Sequence, residues 1–524
     1  MLRPLQRLLL NGVRAWEIRT QSGFCLRTTV TIGGCGITFI PKRGRVAPPP
    51  ACTIWSPSGG GTAGLVASGG AALLGARAAL IERAYLGGDC LVTGCVPSKT
   101  LIASAKVTHT ARRSAVFGVR TGPVEVDFPA VMERVRRVRA DVARHDGAEG
   151  MRKRGVDVLF GTARFTGPRS LDLDGTEVRF RRAVICTGGR PDVPDVPGLR
   201  ENCLTSETIF NVTELPARLI VVGGGPIGCE LAQAMARLGS RVTVLQRGDR
   251  LLPKDDPDAG TMLAEVLRDE GLEVRFGTTP TRVERDASGL RVAVQGPGGA
   301  EVLRADQVLV AAGRRPNVES LGLAAAGVAG DSRGVTVDWR HRTTNARVYA
   351  AGDVCSPFQF THAAYAQAEY ACLNALLPFR LNARDRVMSW TTFTDPEVAH
   401  AGMGWGALQE LQGRIDTYTQ SLELNDRAQA EGDTRGFARI HCRRGTDRIL
   451  AATVVAPHAG EIIVPLSVAI TNGWRLRHLH KTIFAYPTRG EVIRKVADEW
   501  KFSTLTPATK GAVGWWLRWS RLWK

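Results

Sequence analysis

Cys90 and Cys95 sit in the run Gly87-Gly88-Asp89-Cys90-Leu91-Val92-Thr93-Gly94-Cys95-Val96-Pro97-Ser98-Lys99. Two thiols with four residues between them, at the opening of a helix, can close a redox disulfide. A helix N-terminus and the nearby Lys99 both favour the reactive thiolate. The competing reading is a pair of buried, inert cysteines. The other nine cysteines (Cys25, Cys35, Cys52, Cys186, Cys203, Cys229, Cys355, Cys372 and Cys442) show no pairing motif and read mostly as structural. Eleven cysteines in 524 residues are too few for a disulfide-built scaffold, so burial must hold the core. No residues stand out as a metal site.

The elements around the thiols come from an internal repeat. Gly59-Gly60-Gly61-Thr62-Ala63-Gly64 recurs 164 residues later as Gly223-Gly224-Gly225-Pro226-Ile227-Gly228. The match continues: Leu74-Gly75 answers Leu238-Gly239, Arg77 answers Arg241, and Ala79-Leu80-Ile81 answers Thr243-Val244-Leu245. Helical periodicity followed by a short apolar strand predicts a βαβ unit twice over. In such a unit Gly59 and Gly223 make the tight turn. Gly61 and Gly225 let the backbone approach a pyrophosphate, and Gly64 and Gly228 let helix and strand pack closely. One such cluster is weak evidence; two at matched spacing are strong.

The strand ends differ. The first ends at Glu82, an acid suited to a ribose 2′-hydroxyl of an adenine dinucleotide. The second ends at Gln246-Arg247 with Arg250 nearby, which favours a 2′-phosphate and hence NADPH over NADH.

At 44% hydrophobic and 23% charged, the chain is globular and long enough for two to four domains. No apolar run approaches the roughly 18 residues of a spanning helix. The net charge of +19 is concentrated at the ends: +7 within residues 1–57 and +5 within 501–524, leaving +7 between them. A basic nucleic-acid groove is therefore excluded as a reading. Residues 1–52 read as an unstructured or targeting-like extension, with Leu8-Leu9-Leu10 too short for a secretory core. In the tail, Trp515, Trp516, Trp519 and Trp523 share one helical face among Arg518, Arg521 and Lys524. That pattern suits a membrane surface or a neighbouring subunit.

The chain resembles the FAD-dependent pyridine nucleotide-disulfide oxidoreductases, the group that contains glutathione reductase, dihydrolipoamide dehydrogenase and mercuric reductase. The resemblance runs from about residue 59 to 500. It rests on GGDCLVTGCVPSK at 87–99, GGGPIGCELA at 223–232, AAGRRPN at 311–317, VYAAGDV at 348–354, FTDPEVA at 393–399 and AYPTRGE at 485–491, in the family's order. It implies an α/β fold with two Rossmann-like dinucleotide-binding domains and a C-terminal α+β dimerisation domain. The FAD domain would span 53–200 and 309–385, the NAD(P) domain 201–308, and the dimerisation domain 386–500. A basic Trp-rich tail would follow at 501–524. By the same resemblance Asp353 binds the flavin ribitol, Thr187-Gly188 marks the crossover out of the FAD domain, and Gly313-Arg314 marks the return. Lys99 and Glu230 form an ion pair beside the flavin, Cys95 faces the flavin, and Cys90 meets the substrate. Tyr486 and Glu491 act across a homodimer on the partner's site, and the location is cytoplasmic.

Three departures shape the functional expectation. Tyr486 holds the place where glutathione reductase and dihydrolipoamide dehydrogenase carry a His. A Tyr titrating near 10 is a poor base at neutral pH, which disfavours exchange with glutathione or lipoamide. Mercuric reductases also carry Tyr there, where it could donate a hydrogen bond to a thiolate or lie near a thiolate-bound metal; the expectation is a thiol-reactive acceptor, with Hg(II) one candidate. Full mercuric reductases, however, carry a vicinal cysteine pair near the C-terminus, and this chain has no cysteine after Cys442. Third, the strand before the first glycine cluster contains Pro57 where a buried parallel strand should run apolar. Either Thr53-Ile54-Trp55 makes a shortened strand or flavin binding is weakened. The expectation is an FAD-dependent NAD(P)H oxidoreductase passing electrons to a small-molecule or metal-ion acceptor. A catalytically degenerate relative and a dihydrolipoamide dehydrogenase are the alternatives.

Overall fold

A computed structural model describes residues 52–56, 59–378, 381–383 and 386–521. The N-terminal extension, with Cys25 and Cys35, lies outside the described residues, as do Pro57 and Trp523.

Each glycine cluster joins a parallel strand to a helix. Strand Cys52–Ser56 leads to helix Thr62–Leu73 and strand Ala78–Glu82, and Arg218–Val222 leads to helix Pro226–Leu238 and strand Arg241–Gln246. The first unit builds a sheet ordered Val156–Phe160, Ala78–Glu82, Cys52–Ser56, Thr176–Ile185, with Val348–Ala350 added beyond Thr176–Ile185. Those strands are parallel. Cys52–Ser56 therefore occupies the interior of the sheet, with Trp55 in register with Ala79 on one side and Ala183 on the other. The irregular composition ahead of Gly59 still yields a five-residue central strand.

The second unit builds an all-parallel sheet ordered Glu273–Phe276, Arg241–Gln246, Arg218–Val222, Gln307–Val310, Cys203–Leu204. Its central strands Arg218–Val222 and Gln307–Val310 run apolar and buried after their first residue, as strands covered on both faces do. Val221, Val244 and Leu309 are fully buried, each worth about 1.5–3 kcal/mol. A third sheet, antiparallel, runs Ser389–Thr392, Glu397–Gly402, Ile449–Ala456, Phe437–Arg443, Ile415–Ser421. Helices Ala459–Thr471 and Glu491–Ser503 bury their apolar faces against it through Ile463, Leu466, Val492 and Val496.

The chain crosses between the first two sheets twice, and the crossings are tied together. Gly189–Pro191 pairs antiparallel with Arg314–Pro316. Thr187 Oγ1 donates to the Asn317 carbonyl at 2.7 Å, Asn317 Nδ2 returns a bond to the Thr187 carbonyl at 2.9 Å, and the Asn317 amide donates to the Gly188 carbonyl. Gly188 (φ +66°) and Gly313 (φ +147°) take backbone conformations that a side chain would strain.

Candidate active site

The thiol pair lies between two helices. Cys90 is inside the short helix Gly88–Val92, and Cys95 is the first residue of helix Cys95–Arg113. The longer helix packs along Pro226–Leu238, where Leu101 and Ala105 share one core with Leu231 and Ala234. That packing brings Lys99 to Glu230: Lys99 Nζ donates to Glu230 Oε2 at 2.7 Å. Glu230, almost fully buried, accepts a second bond on Oε1 from the Phe393 amide at 2.9 Å. Lys99 Nζ also lies 4.4 Å from the centre of the Phe393 ring.

Both cysteines are free thiols. The Cys95 thiol is pulled down to about 6, first by the hydrogen bond from Cys90, then by Thr361, with the Lys99 charge adding to it. The Cys90 thiol is pushed up by the same hydrogen bond and by burial. The pair is therefore asymmetric: a Cys95 thiolate held by the S–H of Cys90. Cys95 Sγ also lies 3.3 Å from Thr361 Oγ1, at the first turn of helix Thr361–Leu376. No sequence signal singles out Thr361, which is 266 residues from its partner.

The glycine loops have the geometry their spacing predicts. A Cβ on Gly64 would sit 1.7 Å from the Gly59 carbonyl oxygen, and one on Gly228 would sit 1.9 Å from that of Gly223. A Cβ on Gly59 would meet the Cys186 carbonyl at 2.0 Å. Gly61 and Gly225 differ: the nearest atom to a Cβ on Gly61 is Gly88 Cα at 3.5 Å, and a Cβ on Gly225 meets nothing within 4 Å. The first and third glycines thus serve chain packing. The second leaves room at a helix N-terminus, where a pyrophosphate is favoured. These cradles fit two dinucleotides.

The strand-end residues hold the same place in the two loops. Glu82 accepts from the Gly60 and Ala84 amides, and Gln246 Oε1 accepts from the Gly224 amide at 3.0 Å. Gln246 Nε2 donates to the Arg250 carbonyl, and Arg247 is exposed. The second site therefore presents a neutral amide and cations where the first presents a carboxylate. Asp353 follows strand Val348–Ala350, and burial raises its pKa against the opposing pull of Arg314. Arg314 Nε lies 3.4 Å from Asp353 Oδ2, and its guanidinium also pairs with Asp89.

Tyr486 is 67% exposed, and its hydroxyl donates to Asp426 Oδ2 at 2.7 Å. That bond, with the Asp426 and Glu491 charges, raises the phenol above its ordinary value. Glu491 opens helix Glu491–Ser503, and its Oε2 is buried with no hydrogen-bond partner among the described residues. The hydroxyl's partner is thus Asp426, which sequence reasoning missed, and not Glu491.

The sequence matches the description "Pyridine nucleotide-disulphide oxidoreductase" over residues 59–368 and its dimerisation domain over 388–497. The chain is 35% identical to the mercuric reductase of Streptomyces lividans, over 84% of this chain and 94% of that one. It is 31% identical to the dihydrolipoyl dehydrogenase of Chlamydia muridarum, over 83% and 94%. Among solved structures it resembles the Cu(II) complex of the HOCl-induced flavoprotein disulfide reductase RclA from Escherichia coli. The TM-score is 0.76 at 27% identity, covering 86% of this chain and 99% of that one. With both domain matches in chain order on these folds, the chain belongs to the pyridine nucleotide-disulphide oxidoreductases, a family of oxidoreductases that uses FAD and NAD(P)H.

Proposed function

We propose that this oxidoreductase takes two electrons from NADPH into a Cys90–Cys95 couple and delivers them to a thiol-reactive acceptor of the soft metal-ion class, with Hg(II) the first to test. Segments 53–200 and 309–385 would form the FAD domain, 201–308 the NADPH domain, and 386–500 the dimerisation domain. FAD would be held by Gly59, Gly61, Gly64, Glu82 and Asp353, and NADPH by Gly223, Gly225, Gly228, Gln246 and Arg247. Bound FAD supplies the two-electron relay between nicotinamide and dithiol. The overall step balances as NADPH and the disulfide giving NADP⁺, the Cys95 thiolate and the Cys90 thiol.

The chain's own groups then divide the work. Cys95 keeps its negative charge because Cys90, Thr361 and Lys99 stabilise it, while Glu230 fixes Lys99. Cys90 carries the transferable proton and is the thiol that meets the acceptor. A soft dication displaces protons from thiols and is bound by the resulting thiolates. Tyr486, reaching the partner's site across a homodimer, turns its single O–H from Asp426 to the bound thiolate when the acceptor site is loaded.

The observation that carries this reading is the Tyr486–Asp426 bond, in the segment that the resemblance assigns to the partner's dithiol. A phenol between two carboxylates stays protonated, so it can donate but cannot serve as the base that dihydrolipoamide exchange needs. The relatives named mercuric reductase and the Cu(II) complex of the RclA neighbour support a metal-ion acceptor. The interior pairing of Cys52–Ser56 weighs against a degenerate relative without flavin. The test is NADPH oxidation with Hg(II) or with lipoamide, by the wild type and by Cys90→Ser. Hg(II)-dependent turnover that Cys90→Ser abolishes is expected. Turnover that survives the substitution, or turnover with lipoamide alone, contradicts the proposal.

A further inference from the structure

The C-terminal helix Pro507–Arg521 buries none of its residues. It lies past both the dimerisation match, which ends at 497, and the last buried residue of the preceding helix, Ala497. At 3.6 residues per turn, Trp515, Trp516 and Trp519 cluster on one side, Val513 borders that side, and Leu517 falls beside Lys510. Lys510, Arg518 and Arg521 occupy the other. Trp515 is 68% exposed, Trp516 56% and Val513 51%. Residues 501–524 contain no acid.

We propose that this helix docks the enzyme on an anionic lipid bilayer surface, lying in the plane of the interface. A tryptophan face opposite one whose only charges are basic matches the two layers it would meet, acyl chains and anionic headgroups. Tryptophan suits that boundary because its ring is apolar and its N–H is wet. The helix cannot span: among the described residues none is long and apolar enough to cross a membrane.

The test is co-sedimentation of the flavin-loaded full chain with vesicles of phosphatidylcholine alone or with about a third phosphatidylserine. Trp515→Ala/Trp516→Ala and Arg518→Gln/Arg521→Gln are compared with the wild type. Because residues 1–57 are also basic, the paired variants assign any binding to the helix. Wild-type binding to the anionic vesicles, lowered about tenfold or more by either pair, is the expected result. Flavin absorbance and sedimentation mass should stay unchanged. No vesicle binding, binding that both variants retain, or an oligomer that the Trp variant dissociates would each overturn the proposal.

Discussion

At the residue scale, the site works by making two neighbouring thiols unlike. Cys95 has its thiol pulled down to about 6, so it is a thiolate above that pH and protonated below it. Carboxymethylation of Cys95 in the reduced protein should rise through a midpoint near pH 6, with Cys90 unreactive at neutral pH. Thr361→Ala and Cys90→Ala should both move that midpoint upward, since each removes a hydrogen bond to the thiolate. A profile unmoved by either substitution would place the cause elsewhere. Tyr486 shows the opposite adjustment, its proton retained by Asp426. Asp426→Asn should shift the alkaline limb of the metal-dependent turnover profile downward, because the phenol then loses its proton more easily. A structural role alone would lower activity without moving the limb. Neither Thr361 nor Asp426 was legible in the sequence. Each meets its partner through the fold, at separations of 266 and 60 residues, and neither lies in a motif whose spacing announces it.

At the element scale, the two βαβ units were legible because a tight turn, a close helix–strand contact and an open helix N-terminus impose glycine at fixed covalent spacing. The same geometry separates packing glycines from ligand glycines. Gly228→Ala puts a methyl 1.9 Å from a carbonyl oxygen and should lower stability by about 1–3 kcal/mol, read as a fall in thermal midpoint. Gly225→Ala meets no protein atom within 4 Å, so stability should hold while KM for NADPH rises about tenfold. Equal effects of the two substitutions on stability would refute that division. Arg247→Ala with Arg250→Ala should cut kcat/KM for NADPH by about 10–100-fold and leave NADH use nearly unchanged, the loss of charged phosphate contacts. Of the two alternatives the sequence left for the segment before Gly59, the structure has the short strand, Cys52–Ser56. Its composition is poor, yet parallel neighbours on both sides supply the ladder that propensity alone withholds.

At the scale of the whole molecule, buried polar ties hold the three sheets in one register. Arg237 of helix Pro226–Leu238 pairs with Glu270 and with Asp395, which lies ahead of strand Glu397–Gly402. Trp390 Nε1 donates to Asp255, and Arg439 reaches Asp256 at 2.9 Å. These contacts keep the Phe393 amide on Glu230 and hence Lys99 beside the thiols. If Tyr486 serves the partner's thiols, inactive Cys90→Ser and Tyr486→Phe chains should complement when co-expressed. A random mixture regains about a quarter of wild-type turnover, because half the dimers then hold one intact site. The central claim, however, concerns the thiol pair itself. Its most direct test is differential alkylation in denaturant, with mass mapping, of the oxidised, flavin-loaded protein quenched before and after anaerobic NADPH addition. The account predicts two newly alkylated thiols per chain, at Cys90 and Cys95. No new thiols, or new thiols at other cysteines, would contradict it.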